Sequence, residues 1–205
     1  MRLANGGGTR VESSQNIPNP FGGVGELTAC VEGLLTFEQL AAYYRASADT
    51  LVESAAYSHA SLDVHVYAIC YLYRHSLELL LKAIHWQTQY ALTGLKQPRN
   101  GHGLSSLWGE TLKLSRELLK DDFPLTHKEQ LAIKSLLAGF EEYDQASDAF
   151  RYPYDKRKNR PLRNLFRVCL NDLNAAVFET SSSLYRIQGL VEYYYEQRSE
   201  IERSL

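Results

Sequence analysis

The sequence predicts an all-α protein, a compact bundle of about five helices of which two are long. Two observations lead to this fold class. From residue 36 onward, apolar residues recur at intervals of three and four, the spacing that places them on one face of a helix. Helix start and stop signals divide this periodic part into five segments with short connections, which is the pattern of a helical bundle.

Residues 1–35 differ in composition and are predicted to form an extension before a helical domain of residues 36–205. They contain seven of the thirteen glycines, together with Pro18 and Pro20. Such a segment loses much conformational entropy on ordering and buries little apolar surface, so we expect it to become ordered only by docking. The glycines lack the GxxxxGK[ST] pattern of a phosphate-binding loop.

The first two helices have clear boundary signals. Thr36–Gln39 fits a capping box, and the apolar spacing extends the first helix to about Tyr57. The second helix is predicted over Leu62–Ala91, about 30 residues and so roughly 45 Å long at the standard helical rise. Gly94 and Pro98 supply its stop signals.

Three further helices follow. The third is predicted to begin after Gly101–Gly103 and to run to Lys120, and a second capping box at Thr126–Glu129 begins the fourth. The fourth helix must end before Pro153. Pro161 suits the first turn of the last helix, which continues nearly to the end. We expect an acidic outer face on the fourth helix, formed by Glu141, Glu142, Asp144 and Asp148.

The second helix carries one polar stripe on an otherwise apolar circumference. At 100° per residue, five polar side chains fall within roughly 80° of one another: Arg74, His75, Glu78, Lys82 and His85. The stripe is either solvated and salt-bridged, or it lines a cleft or a dimer interface. In the second case, a histidine beside an arginine should be neutral and able to act as a base, while the guanidinium could hold a phosphate.

A second candidate is His102, which lies between Gly101 and Gly103 just before a predicted helix start. Backbone N–H groups and the helix dipole attract anions at such a position. The alternative is a histidine that caps or packs against a neighbouring helix.

A third candidate is a basic segment with aromatic residues at its start, Phe150, Tyr152 and Tyr154. Between residues 151 and 167 a single acid, Asp155, accompanies seven basic residues, namely Arg151, Lys156, Arg157, Lys158, Arg160, Arg163 and Arg167. Cations beside exposed aromatic rings suit single-stranded nucleic acid, since phosphates pair with the cations and bases stack on the rings. Alternatively, Tyr152 and Pro153 pack inward, Arg151 pairs with a carboxylate of the bundle, and the remainder is a solvated loop.

The bulk composition narrows the functional classes. A formal net charge of −2 gives no global nucleic-acid signature, so an anionic partner would meet a local basic patch. Three cysteines without a CxxC pair indicate reduced thiols, and we therefore expect a cytoplasmic protein. Neither a membrane-spanning run nor a signal peptide is recognisable. The six histidines include no HExxH motif or Cys/His cluster, so no metal site is expected.

Three stretches together resemble the HEPN superfamily (higher eukaryotes and prokaryotes nucleotide-binding domains). They are YRHSLELLLKA at Tyr73–Ala83, GHGLSSLW at Gly101–Trp108 and FRYP at Phe150–Pro153. HEPN domains are all-α bundles in which a helix of the type RHxxELxLKA is followed by a GHxLxxL segment. The resemblance covers about residues 36–200 and implies a HEPN-like bundle.

The resemblance also implies prokaryotic defence or toxin biology. Many HEPN members are metal-independent endoribonucleases, usually dimeric, with the active site where two protomers meet, while others bind nucleotides, RNA or partner proteins without catalysis. The ribonuclease signature is an arginine, a polar residue and a histidine that follows the arginine after four to six intervening residues. No arginine and histidine of this chain have that spacing.

We therefore expect a domain that engages RNA or a nucleotide, as a homodimer and without a cofactor, and that can act as a metal-independent endoribonuclease. The expected catalytic residues are His75 and His102 for proton transfer and Arg74 and Arg151 for contact with the phosphate. The expected substrate-binding residues are Glu78, Lys82, Tyr152, Asp155, Lys156, Arg157, Lys158 and Arg160. A competing prediction is a non-catalytic subunit that binds a partner protein through a helical face or the N-terminal extension.

Overall fold

A computed structural model describes residues 35–58, 62–95, 97, 99–155, 158–160, 162, 164–165 and 167–204. These residues form five α-helices, and no strand occurs among them. One turn of 3₁₀ helix, Lys120–Asp122, follows the third helix. The α-helices are α1 (Phe37–Ser58), α2 (Leu62–Thr93), α3 (Leu104–Leu119), α4 (His127–Tyr143) and α5 (Leu170–Ser204). The prediction of an all-α fold with five helices, two of them long, is confirmed. The predicted extension lies outside the described residues except for Leu35.

α2 contacts α1, α3 and α5, and it is buried around most of its circumference. Eight of its apolar side chains are at most 2% exposed, namely Ile69, Cys70, Tyr73, Leu77, Leu80, Leu81, Ile84 and Tyr90. Each fully buried aliphatic side chain of this size stabilises the fold by about 1.5–3 kcal/mol. The apolar side of α2 therefore packs into the core of the bundle, and the polar stripe occupies the rest of its surface.

Both predicted capping boxes form. At the start of α1, the Gln39 backbone N–H donates to Thr36 Oγ1 at 3.1 Å, and the Thr36 N–H donates to Gln39 Oε1 at 3.0 Å. At the start of α4, Thr126 and Glu129 make the same reciprocal pair of bonds, at 2.8 and 3.3 Å. These bonds satisfy N–H groups that have no partner within the helix, which explains why both helices begin where the sequence predicts.

The last helix begins later than predicted. α5 starts at Leu170, whereas Pro161 was expected to open it. The described residues between them include Leu162, Leu165 and Val168, which pack against the core without forming a helix. Apolar residues three positions apart can face the core from successive turns as well as from a helix, so the spacing alone placed the start too early.

The predicted acidic outer face of α4 is wrong at Asp144 and Asp148, which both follow the end of the helix. α4 ends at Tyr143, and Asp144 leaves the helical conformation with a side chain that is only 1% exposed. Its Oδ1 accepts hydrogen bonds from the backbone N–H groups of Asp148 at 2.7 Å and Ala149 at 2.9 Å. The chain therefore turns inward directly after α4 and places a carboxylate against α2.

Candidate functional site

The centre of the candidate site is the guanidinium of Arg74, whose side chain is fully buried. Its Nη1 donates to Glu78 Oε2 at 2.9 Å and its Nη2 donates to the carbonyl oxygen of His102 at 2.8 Å. Its Nε donates to the carbonyl oxygen of Asp144 at 3.1 Å and lies 3.4 Å from Asp144 Oδ2. One side chain thus joins α2, the turn before α3 and the turn after α4.

Glu78 receives three donors although its side chain is only 1% exposed. Besides the Arg74 contact at Oε2, its Oε1 accepts from Lys82 Nζ at 2.8 Å and lies 2.9 Å from His102 Nδ1. The four-residue spacing along α2 places Arg74, Glu78 and Lys82 on one helix face. Burial opposes ionisation of Glu78, but the hydrogen bonds from Lys82 and His102 outweigh it and hold the pKa below its ordinary value. Glu78 is therefore a carboxylate at neutral pH.

His102 combines this buried partner with access to solvent, since 59% of its side chain is exposed. An ionised carboxylate can only accept, so the proton of a neutral His102 resides on Nδ1 and its Nε2 carries the lone pair. The pair has the arrangement in which a carboxylate orients a catalytic imidazole. This surface imidazole is therefore fixed in tautomer and orientation by a buried charge.

The backbone of this turn depends on Gly101. Gly101 has a φ of 97°, which L side chains rarely adopt. A Cβ on Gly103 would lie 3.0 Å from Ser106 Oγ and 3.4 Å from Glu141 Oε1. The backbone thus requires glycine at position 101, and a side chain at position 103 would need Ser106 and Glu141 to shift slightly.

His75 lies in a separate, half-buried aromatic environment on the same face of α2. Its ring meets the edge of Tyr44 at 4.8 Å and stacks on Tyr71 at 5.5 Å between ring centroids. Burial lowers the pKa of His75, and the charges of Lys82, Arg74 and Arg151 lower it further against the opposing effect of Glu78. The expected neutral imidazole follows chiefly from burial, with the neighbouring cations as a smaller cause.

Arg151 contacts both the aromatic residues beside His75 and the segment after α4. Its Nε donates to the Ser147 carbonyl oxygen at 2.9 Å, and its Nη2 also donates to that oxygen. Its guanidinium lies 5.2 Å from the Tyr71 ring centroid and 5.4 Å from that of Tyr152. Of the two alternatives for this segment, the one in which Arg151 pairs with a carboxylate and Tyr152 packs inward is wrong, because Arg151 bonds a backbone carbonyl and Tyr152 is 56% exposed.

The rest of the basic segment is built around Asp155. The Asp155 N–H donates to the Asn159 carbonyl at 2.9 Å, and Asp155 Oδ1 accepts from the Asn159 N–H at 2.8 Å. The exposed Lys158 lies in this turn with a φ of 64°. Asp155 thus closes the turn that carries Lys158. Three other basic residues of the predicted segment, Lys156, Arg157 and Arg163, lie outside the described residues.

A cleft of about 560 Å³ lies between α2 and the segment after α4. Arg160 flanks it, with its guanidinium 6.0 Å from the centroid of the Tyr154 ring. The lining residues are Tyr67, Ala149, Phe150, Arg151, Tyr152, Pro153, Tyr154, Arg160 and Leu162.

Sequence reasoning missed several of these neighbours. Tyr67 and Tyr71 precede His75 at four-residue intervals, and that interval was the available signal for an aromatic extension of the stripe. Asp144 gave no signal, since its contact with Arg74 joins residues 70 positions apart. His85, which belongs to the predicted stripe, instead faces Glu110, with 3.7 Å between Nε2 and Oε2.

No group of three or more His, Cys, Asp or Glu side chains in the described ranges is placed to hold a metal ion. Within the same ranges, no helix has the length and apolar character needed to span a membrane. Comparison of the chain with protein-family models, with curated proteins and with solved structures finds no match.

Proposed function

We propose that this chain is a HEPN-like domain of a prokaryotic defence or toxin module, that it engages RNA, and that His102 cleaves the RNA without a metal. The observation that carries the proposal is the bond between the exposed His102 and the buried Glu78. A histidine ordered in this way is suited to proton transfer. The resemblance of the segments around Arg74, His102 and Arg151 to HEPN motifs supports the choice of RNA as substrate.

The chemistry follows from the free nitrogen of His102. Its Nε2 removes the proton of a ribose 2′-hydroxyl, and O2′ attacks the adjacent phosphorus. The P–O5′ bond breaks, leaving a 2′,3′-cyclic phosphate on one product and a 5′-hydroxyl on the other after the leaving oxygen takes a proton from solvent. Glu78 stabilises the imidazolium that forms. Proton transfer of this kind contributes about 10²- to 10⁴-fold to the rate.

The other predicted site residues near His102 take different parts in this proposal. Arg74 is a positioning residue, because its buried guanidinium reaches the site through the backbone of His102 and the carboxylate of Glu78. Lys82 places a positive charge beside the pair and is 15% exposed. Arg151 lies over the ring of Tyr71, on which His75 stacks, so a phosphate bound there would meet a cation and a neutral imidazole.

The experiment is an initial-rate assay on labelled single-stranded RNA with excess chelator. Wild type should cleave the RNA and leave 2′,3′-cyclic phosphate ends, and His102→Ala should lose about 10²-fold or more. His127→Ala is the matched control, since His127 is an exposed histidine at the start of α4. Absence of cleavage by wild type, or equal rates for wild type and His102→Ala, would overturn the catalytic proposal. The homodimer remains a prediction, which sedimentation of the purified chain tests.

A second candidate is a non-catalytic subunit that binds a partner protein through a helical face. The observation that favours it is a set of large aromatic side chains, each more than half exposed, on α1 and α5: Tyr43, Tyr57, Phe178 and Tyr193. Exposed aromatics of this size are enriched in protein interfaces. This candidate would be favoured over the first if the His102→Ala variant kept the full defence or toxin activity of the module in cells and the Phe178→Arg variant lost it.

A further inference from the structure

We propose that the cleft lined by Tyr67, Tyr152 and Tyr154 is a stacking site for a base of single-stranded RNA. This inference rests on the proposed function in that it takes RNA as the ligand. It goes further by assigning a base-binding site away from the His102–Glu78 pair.

The first argument is the exposure of three tyrosines around one cleft. Tyr67 is 54%, Tyr152 56% and Tyr154 52% exposed. Three half-exposed aromatic rings contribute little to the core, and a contiguous exposed apolar surface marks a binding site more often than a structural one. Aromatic faces bind unpaired bases by stacking, at about 1–3 kcal/mol per base, whatever the base.

The second argument is the charge of the cleft. Its lining includes Arg151 and Arg160, and none of the described lining residues is acidic. Each arginine lies over a tyrosine ring, Arg151 over Tyr152 and Arg160 over Tyr154. A base on a tyrosine would thus bring its phosphate towards a guanidinium, the combination found in sites for single-stranded nucleic acid.

The third argument is that part of the cleft is held firmly by the core. Ala149 and Phe150 are 4% and 9% exposed, and the Asp148 carbonyl accepts from the N–H groups of both Arg151 and Tyr152 at 3.0 Å. Arg151 is further tied to the Ser147 carbonyl. The volume of about 560 Å³ lies within the usual range of ligand sites. The Arg151–Tyr152 side is therefore organised before a ligand arrives.

The position of the cleft defines its part in binding. Tyr67 and Glu78 lie on the same helix, and the standard rise places them about 16 Å apart along its axis. At the roughly 3.4 Å per nucleotide of a stacked strand, this is up to about five nucleotides, and fewer for an extended strand. The cleft would accordingly hold a base beyond the cleaved linkage and govern affinity rather than the chemical step.

The test is a binding titration with the full chain carrying His102→Ala, so that the RNA stays intact. Fluorescence anisotropy is measured with a labelled eight-nucleotide RNA and with the same oligonucleotide made abasic. Tyr152→Leu and Tyr154→Leu should each weaken RNA binding by about fivefold to more than a hundredfold, the effect of losing one stacked base. Tyr193→Leu is the matched control, because Tyr193 on α5 is 58% exposed and lies outside the cleft.

The abasic oligonucleotide should bind weakly to the His102→Ala chain, and the tyrosine substitutions should not change its affinity. Circular dichroism and thermal melting confirm that each variant is folded. Equal RNA affinity for the His102→Ala chain with and without Tyr152→Leu or Tyr154→Leu would overturn the inference. Binding of free AMP or UMP that depends on these tyrosines, with no such dependence for RNA, would also overturn it. If the chain with His102 intact bound RNA through these tyrosines but did not cleave it, the stacking site would be supported and only the catalytic proposal would be overturned.

Discussion

Arg74 Nη2 donates a hydrogen bond to the carbonyl oxygen of His102 at 2.8 Å, so a fully buried guanidinium holds the backbone of an exposed histidine 28 positions later in the chain. The same guanidinium bonds Glu78, which in turn bonds the imidazole of His102. His102 is thus held at both its backbone and its ring. This arrangement links the core of the bundle to the surface on which chemistry is proposed.

Removing Arg74 should destabilise the fold strongly. Arg74→Met leaves the buried carboxylates of Glu78 and Asp144 without their shared partner, and breaking a buried ion pair in this way costs about 3–5 kcal/mol. Urea unfolding monitored by circular dichroism measures the change. The control is Arg198→Met, since Arg198 and Glu202 form a pair whose side chains are each 39% exposed, and such surface pairs are worth about 0–1 kcal/mol. Equal losses for the two variants would contradict the structural role of Arg74.

Gly101→Ala should lower both stability and activity. The positive φ of Gly101 strains any residue with a Cβ, at a cost of about 1–3 kcal/mol, and relief of that strain would displace His102. Gly139→Ala is the opposite control, because a Cβ there meets no atom within 4 Å and lies inside α4, where alanine is favoured by about 0.5–1 kcal/mol. Thermal melting of both variants decides the matter, and a Gly101→Ala protein as stable as wild type would contradict the assigned backbone.

His75 should make the fold less stable in mild acid. Because burial lowers the pKa of His75 in the folded chain, the unfolded chain binds its proton first, near the ordinary value of about 6.5. Stability is therefore retained above that pH and falls as the pH drops below it. Unfolding free energies measured at pH 5.5, 6.5 and 7.5 should depend less on pH in His75→Gln, by at most about 1.4 kcal/mol per pH unit. The exposed His127→Gln serves as the control, and identical pH slopes for wild type and His75→Gln would refute the assignment.

RNA binding should weaken with salt, and Arg160 should contribute to that dependence. Each phosphate neutralised on a single strand adds about 0.7 to the slope of log K against log salt. Arg160→Gln should reduce the magnitude of the slope by about that amount, whereas Arg203→Gln, a substitution near the end of α5, should leave it unchanged. An affinity that is independent of salt would exclude the basic segment as the contact surface.

Local signals in the sequence were sufficient for the starts of the first four helices and for part of the candidate site. The two capping boxes and the apolar spacing of α2 report interactions within a few residues, and the glycines around His102 report a local backbone requirement. The start of α5 was misjudged because apolar residues three positions apart also fit a series of turns. The spacing of apolar residues along the chain cannot distinguish a helix from a series of turns.

The burial of Arg74 could not be read from its position on the polar stripe. Its environment depends on Asp144 and His102, which approach α2 only when the third and fourth helices have packed. The same holds for Tyr67, whose place in a cleft depends on the segment after α4. Through long-range contacts of this kind, part of the predicted polar stripe belongs to a buried ion-pair network with one exposed histidine at its edge.

The most direct test of the proposed chemistry is rescue of His102→Ala by free imidazole in the RNA cleavage assay with chelator present. Imidazole can enter the space left by the exposed ring and accept the same proton, so we predict that the low rate of His102→Ala rises with imidazole concentration while wild type and His127→Ala are unaffected. A His102→Ala variant that cleaves RNA at the wild-type rate without imidazole would contradict the assignment of His102 as the proton-transfer group.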